Sequence, residues 1–362
     1  MDKIRIALAG CGAIANIMHL PGIQTMQEMG LAELVAVSDV VAEKARDTAE
    51  RFAIPHYFGD VEAMLTQADF DLLVNTTVIP SHFSVTLAGL QAGKHVYTQK
   101  PMSVTLDEAT QLVEAARRYD RRLAVAPEHP VRPHLRAMRE MIEQGVIGTI
   151  SFARVQTSHH GPEKHDTGAM PRDSTWFYKS GSDPIMDLGV HGLSQITSLL
   201  GPVRGLSALS GRSLPVRHIS KGPLTGKRID VEIDDNSLLM LDFGDARFAM
   251  LDATYCVPAS MAPRLEIHGS EGTLAVTYRR LVGQPQEPIL HLYRAEEERW
   301  REVEVQAAPP VRDLGVLHLV ECLRNGQPHL LTPEHGRHLV EIITAAPVAA
   351  REGRTIPLQT TF

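Results

Sequence analysis

Three side chains of this 362-residue sequence combine the types needed to move a proton at a hydroxyl group: Lys100, Asp187 and His191. Lys100 lies in Lys94-His95-Val96-Tyr97-Thr98-Gln99-Lys100-Pro101, where a short strand delivers the amine at its end and Pro101 fixes the turn that follows. Asp187 and His191 lie in Asp187-Leu188-Gly189-Val190-His191, and their i, i+4 spacing puts a carboxylate and an imidazole on one helix face. Taking a hydride from an alcohol carbon requires a partner for the hydroxyl proton, and histidine titrates near neutral pH. A lysine can donate a hydrogen bond to the same oxygen and stabilise the charge developing there, and an aspartate can orient the imidazole or hold a neighbouring hydroxyl. Taken singly, the three also read as a surface cation, a helix cap and a packed histidine. Their combination is what points to chemistry.

Hydride chemistry needs an acceptor, and the beginning of the chain offers a place for one. The apolar run Ile4-Arg5-Ile6-Ala7-Leu8-Ala9 ends in Gly10-Cys11-Gly12-Ala13-Ile14-Ala15, a G-x-G-x-x-A turn that opens a helix. Gly10 permits the tight turn, Gly12 lets the backbone approach a pyrophosphate, and Ala15 keeps the helix close to the sheet. The helix start at Ala13 and Ile14 presents free N–H groups to the anion. A second strand ends at Asp39, whose carboxylate can bind the adenosine ribose hydroxyls and would repel a 2′-phosphate, so NAD is expected rather than NADP. Asp39 can equally cap the helix that begins near Val41. The run Asp71-Leu72-Leu73-Val74-Asn75-Thr76-Thr77 reads as a buried strand ending in polar residues, so Thr76 and Thr77 are expected to face the cofactor.

These residues need a scaffold, and the pattern over residues 1–127 supplies it. Short apolar strands at 4–9, 34–38, 72–75, 95–97 and 123–126 alternate with amphipathic helices, the first over 13–29, as in a doubly wound parallel Rossmann sheet. A helix over 134–144 ends near Gly145 and Gly148 and connects to a second, α+β domain over 128–362. There the stretches 150–157, 236–243, 246–255, 264–268, 273–277, 289–293 and 302–305 alternate in polarity, which predicts a mostly antiparallel open sheet. Such a sheet covers one face with helices and leaves the other open to a second subunit. Helices at 311–323 and 333–351 close the chain, and the last can pack back on the first domain.

Composition narrows the partners. A formal charge of −7 with no Lys/Arg-rich block argues against nucleic acid and against a polybasic membrane patch. The first strand begins almost at once, leaving no room for a signal peptide, and no apolar run reaches membrane-spanning length, so a cytoplasmic location is expected. Cys11, Cys256 and Cys322 are scattered and odd in number, which suits reduced thiols. The run His159-His160-Gly161-Pro162-Glu163-Lys164-His165-Asp166 is dense in ligand types but lacks regular ligand spacing. No metal is expected there, and His159 is left as either a carbohydrate contact or a solvated side chain. Trp176-Phe177-Tyr178 can form a platform for a sugar ring, with a hydroxyl from Tyr178, or can pack in the core. Arg132, His134 and Arg172 can bind a substrate carboxylate or phosphate, or can be solvated.

With these elements in place the chain resembles the Gfo/Idh/MocA family, named for glucose-fructose oxidoreductase and inositol dehydrogenase, over essentially its whole length. The resemblance is carried by the G-x-G-x-x-A turn and by Ala92-Gly93-Lys94-His95-Val96 leading into an E-K-P-like element. It extends to the D-x-x-x-H at 187–191 and to a closing helix ending in Ala350-Arg351-Glu352-Gly353-Arg354. It implies that Lys100, Asp187 and His191 form the catalytic set and that Pro101 follows a peptide often cis in the family. It also implies that Pro80 and His82 belong to the loop around the cofactor, although Pro80 can simply end a strand and His82 can pack on the next helix. The implied activity is NAD-dependent oxidation or reduction at a secondary hydroxyl of a sugar, cyclitol or sugar derivative, by a homodimer or homotetramer. Transient-oxidation glycoside hydrolysis and a non-catalytic sensor are the alternatives. Two departures stand out: Gln99 replaces the usual acidic residue of E-K-P, keeping hydrogen-bonding capacity toward a ribose hydroxyl without the charge. Ser180-Gly181-Ser182-Asp183-Pro184 replaces a glycine-rich stretch.

Overall fold

The computed structural model describes residues 3–164, 173–279 and 287–362. The chain clusters into two compact units, one of Met1–Pro133, Ala307–Glu341 and Thr360–Phe362, the other of His134–Gln306 and Ile342–Gln359.

In the first unit the strands are β1 (Ile4–Ala9), β2 (Ala32–Ser38), β3 (His56–Phe58), β4 (Leu72–Asn75), β5 (His95–Thr98) and β6 (Leu123–Val125). The helices are α1 (Leu20–Glu28), α2 (Ala42–Phe52), α3 (Val61–Gln67), α4 (His82–Gln91) and α5 (Leu106–Arg118). The six strands are parallel in the order β3-β2-β1-β4-β5-β6. Ile6, Ala7, Leu8, Leu72, Leu73 and Val74 are fully buried because both sheet faces are covered, which is why these strands read as continuous apolar runs. Strand order reverses between β1 and β4, where Ala9 lies opposite Asn75, and the carboxyl ends of such a pair form the ligand crevice of a doubly wound sheet.

Helix starts in this unit carry a local irregularity with a clear cause. The chain turns helical at Ala13, as expected, but residues Ala15–His19 form a π turn before α1. Pro21 has no N–H to give the carbonyl of Ile17 and its ring crowds that carbonyl, so the preceding turn widens. The guanidinium of Arg312 donates to the Ile17 oxygen instead, at 3.3 Å.

The second unit holds most of α6 (Pro133–Glu143), then β7 (Ile150–Gln156), α7 (Val190–Leu200), β8 (Gly205–Gly211), β9 (Val216–His218), β10 (Arg228–Asp230), β11 (Asn236–Asp242) and β12 (Phe248–Thr254). It continues with β13 (Leu265–Gly269), β14 (Gly272–Arg279), β15 (Glu287–Arg294) and β16 (Arg299–Val303). The chain ends with α8 (Leu314–Asn325), α9 (Pro333–Glu352) and β17 (Ile356–Pro357). Nine strands form one sheet in the order β16-β15-β14-β13-β7-β12-β11-β8-β17, antiparallel except for the β7–β12 pair. Along β11, Ser237, Leu239 and Leu241 point into the core while Leu238 and Met240 lie in water, and Leu238 pairs with the exposed Leu209. The open face is therefore apolar across β8, β11 and β12, where Phe248 is also exposed. Helix α7 takes the opposite face. A side chain at Gly192 would come within 2.7 to 3.1 Å of Thr157, Leu251 and Val155, so glycine is what lets this helix lie directly on β7 and β12.

Strands β3, β8, β9, β10 and β17 were not expected from the pattern, and β16 runs over 299–303 rather than 302–305. Among the described residues no helix is long and apolar enough to cross a membrane.

Candidate active site

The nucleotide turn of the first unit is shaped by two glycines with different jobs. Gly10 has φ +93°, and a Cβ there would come within 2.7 Å of the Thr76 carbonyl oxygen, so the backbone of the β1 turn presses on the β4 turn. A Cβ at Gly12 would meet nothing within 4 Å, leaving the open cradle that a pyrophosphate needs. Ala13 and Ile14 are exposed at the helix start beside it, and Ala15 is buried against the sheet. Asp39 braces the turn from β2: one carboxylate oxygen accepts from the Cys11 N–H and the other from the Val41 N–H, both at 2.9 Å. Val41, not Asp39, is the N-cap of α2, and the two backbone bonds leave lone pairs on each Asp39 oxygen for ribose hydroxyls. Burial pushes the Cys11 thiol up to about 11, so it stays protonated.

Thr76 and Thr77, expected to face the cofactor, turn their hydroxyls to the protein. Thr76 donates to the carbonyls of Ala9 and Gly10, and Thr77 donates to the Asn75 side chain at 2.7 Å. They fix the crevice floor. Pro80 sits in a short 3-10 turn over Ile79–Ser81, and His82 begins α4, almost fully buried. The His82 ring lies 2.7 Å from the Pro101 carbonyl and 3.1 Å from that of Thr77, joining the crevice loop to the Lys100–Pro101 turn. Burial lowers the His82 pKa. The Lys100–Pro101 peptide is cis, as the resemblance implied. Lys100 is half-buried, and its N–H donates to the Gln99 side-chain oxygen at 3.3 Å.

The second unit builds its own cluster around Asp187. Asp187 lies in a π turn over Ile185–Gly189 that runs straight into α7, where His191 follows, and both side chains are half-buried. Asp183 starts this segment by accepting from the Met186 N–H at 2.8 Å, and burial raises its pKa. Tyr255, which the sequence reading missed, donates its hydroxyl to Asp187 at 3.0 Å. Burial, and then the Asp187 charge, raise the phenol pKa, so Tyr255 remains a donor. The ring of His159 stacks on Tyr255 with centroids 5.4 Å apart, and Tyr178 meets it edge-on at the same separation.

Tyr178 supports this cluster from behind. It is fully buried and gives its hydroxyl to Glu163, so its hydroxyl is engaged inside the unit. Glu163 also receives Arg217 at 3.1 Å, and Arg217 reaches Asp235 at 2.7 Å, an enclosed ion triad that no local spacing announced. The Arg217 guanidinium lies 5.1 Å from the Tyr178 ring centre. Trp176 is half-exposed and stacks on Phe177 at 3.8 Å, leaving an aromatic face at the surface.

Among the described residues no group of three or more His, Cys, Asp or Glu is arranged to hold a metal ion. His165, Asp166 and Arg172 lie outside the described residues. Arg132 pairs with Glu128 at 2.7 Å, and His134 is buried in α6.

Residues 4–127 match a family described as an oxidoreductase family with an NAD-binding Rossmann fold, and residues 135–275 match the GFO/IDH/MocA C-terminal domain. The chain therefore belongs to the Gfo/Idh/MocA family and is an oxidoreductase, the family its glycine turn, Lys-Pro turn and D-x-x-x-H had indicated. D-apiose dehydrogenase of Paraburkholderia graminis is 25% identical over 362 aligned residues, covering 99% of this chain and 91% of that one. The scyllo-inositol 2-dehydrogenase (NADP(+)) of Bacillus subtilis is 23% identical, with 99% and 97% covered. The solved structure of an NAD binding oxidoreductase from Klebsiella pneumoniae superposes with a TM-score of 0.84 at 21% identity, covering 99% of this chain and all of that one (100%).

Proposed function

We infer that this protein is a dehydrogenase that uses NAD in preference to NADP and acts on a secondary hydroxyl of a sugar, cyclitol or sugar derivative. The carrying observation is the open cradle at Gly12 next to Asp39, a carboxylate placed where the adenosine ribose of a dinucleotide falls in this fold. That carboxylate disfavours a 2′-phosphate, and on this point the chain is read from its own residues, since one relative carries NADP(+) in its name. The substrate class is supported by relatives named for D-apiose and scyllo-inositol, both polyhydroxylated rings or sugars, and both relatives are named as dehydrogenases rather than hydrolases.

When bound, the nicotinamide ring supplies the hydride acceptor. On the protein side, His191 takes the proton of the reacting hydroxyl, and Lys100 donates a hydrogen bond to its oxygen and stabilises the charge that develops. Asp187, held by the Tyr255 hydroxyl, orients substrate and imidazole. In the reverse direction the proton flow reverses. His159 and Trp176 contact the ring of the substrate. The apolar open face of β8, β11 and β12 supports assembly into a homodimer or homotetramer, and three unpaired cysteines suit a cytoplasmic protein.

The test is Lys100→Met, assayed by NADH fluorescence titration and by NAD reduction over a panel of pentoses, hexoses and cyclitols. Affinity for NADH should stay within about threefold while turnover falls by roughly two orders of magnitude or more. Turnover close to that of the unmodified protein would reject the role of Lys100.

A further inference from the structure

The first unit contains a buried chain of hydrogen bonds that ends at Lys100. His19, in the π turn before α1, is fully buried, and its Nδ1 lies 2.5 Å from an oxygen of Asp313, also fully buried. Its Nε2 lies 2.7 Å from the side-chain nitrogen of Gln99. The Gln99 side-chain oxygen in turn accepts from the Lys100 N–H. Asp313 stands 294 residues from His19 and is the N-cap of α8, its second oxygen accepting from the Val316 N–H at 3.0 Å. A side chain at Gly22 would run into the Asp313 Cβ at 2.6 Å, so glycine lets α1 lie directly on this aspartate.

The direction of the chain follows from what each group can do. An ionised aspartate only accepts, so a singly protonated His19 must donate from Nδ1 and is left with an accepting Nε2. Gln99 must then turn its NH2 toward His19, which leaves its oxygen as the acceptor for Lys100. The surroundings do not compete: the nearby buried Glu128 is occupied by Arg132 and by the Gly315 N–H, and Tyr97 meets the His19 ring by its edge at 5.8 Å. With Gln99 in place of a carboxylate, the polarity of one amide decides whether position 99 offers the Lys100 N–H an acceptor or a donor.

We propose that Asp313 is a positioning residue that acts through His19 and Gln99 to hold the Lys100 backbone, so that the helix returning at 314 sets the geometry of the amine at the end of β5. The functional consequence rests on the reading of Lys100 given above; the hydrogen-bond chain does not.

Asp313→Asn tests it, because asparagine keeps the length and can cap α8 while presenting an NH2 to His19. His19 must then accept at Nδ1 and donate from Nε2, Gln99 turns its oxygen inward, and its NH2 faces the Lys100 N–H, donor against donor. In NAD reduction over the same panel of pentoses, hexoses and cyclitols the variant should turn over about fivefold more slowly, with NADH affinity held within about threefold. Adding Gln99→Glu to Asp313→Asn restores an acceptor at both ends, and the double variant should turn over faster than Asp313→Asn. An Asp313→Asn protein with unchanged turnover, or a folded double variant that is no faster than Asp313→Asn, would overturn the proposal. An independent reading comes from 15N spectra of histidine-labelled unmodified protein without nucleotide, assigned with His19→Gln. A proton on Nδ1 alone is expected, and a proton on Nε2, or on both nitrogens, overturns the chain even if the aspartate variants do not fold. Should the unmodified protein bind no NADH, the functional reading fails while the His19 proton still decides the chain.

Discussion

Removing the guanidinium of Arg217 should cost more stability than any other single charge deletion in the second unit. Its side chain is 3% exposed, between Glu163 at 1% and Asp235 at 0%. Arg217→Met would leave two carboxylates enclosed with no cation between them, and deleting one partner of a buried ion pair costs about 3–5 kcal/mol. Glu163→Gln should be milder, about 1–2 kcal/mol, because the Arg217–Asp235 pair survives and the amide oxygen still accepts from Tyr178. Trp176 and Trp300 both belong to this unit, so tryptophan fluorescence during urea unfolding reports on it selectively. With a slope of about 2 kcal/mol per molar urea, the Arg217→Met midpoint should fall by roughly 1.5–2.5 M. Because Tyr178 packs on Tyr255, and Tyr255 holds Asp187, turnover should fall even below the unfolding range. A midpoint within about 0.3 M of the unmodified protein would refute the claim that this triad is closed and mutually compensating.

The two glycines of the nucleotide turn should respond in opposite ways. Gly12→Ala projects into open space and should leave stability nearly unchanged while weakening NADH more than about tenfold; Gly10→Ala, at a left-handed φ and against Thr76, should cost upward of about 2 kcal/mol in unfolding free energy. Asp39→Ser removes the charge beside the ribose, and the ratio of NADPH to NADH affinity should rise at least about tenfold, an unchanged ratio counting against the NAD assignment. His95 is pushed down to about 4 by burial and by Arg121 and Arg122, while its ring nitrogen accepts from the Arg122 N–H. Its folded pKa lies below the ordinary 6.5, so its contribution is complete above that pH and is lost as pH falls toward 4. His95→Asn should therefore flatten the stability profile of the first unit across that window, and equal slopes in thermal melts at pH 4.5 and 6.5 would contradict the reasoning.

What the sequence made legible is what local chemistry controls. Strands β1 and β4 are apolar on both faces, so they stood out, and the turn at Gly10–Ala15 followed from backbone demands alone. β3 did not stand out because His56 and Tyr57 are exposed and Phe58 only half-buried, and β8 is built of glycine, serine and alanine as much as leucine. The i, i+4 spacing of Asp187 and His191 marked a helix correctly, though not the π turn within it. The partners that organise the site were hidden for a different reason. Tyr255 meets Asp187 across 68 residues, Arg217 meets Glu163 across 54, and Asp313 meets His19 across 294. Such pairings depend on tertiary packing and leave no periodic trace. Tyr178 shows the same limit: as a residue type it suited either a sugar platform or the core, and only its burial against Glu163 and Tyr255 distinguishes the two.

The segment Ala307–Glu341 bears on how the protein is made. Val311, Val316, Leu317, Leu319, Val320 and Leu331 fill the same core as Ile6, Leu8 and Val37, and Arg312 satisfies a carbonyl beside the glycine turn. During synthesis the first six strands therefore emerge with one face covered only in part, by α1 and α2, and they wait through the intervening residues 134–306 for the rest of their lid. The half of the molecule translated first is still incomplete when most of the second has been made. A ribosome stalled before residue 307 would hold a sheet with an apolar flank open to aggregation and to chaperones.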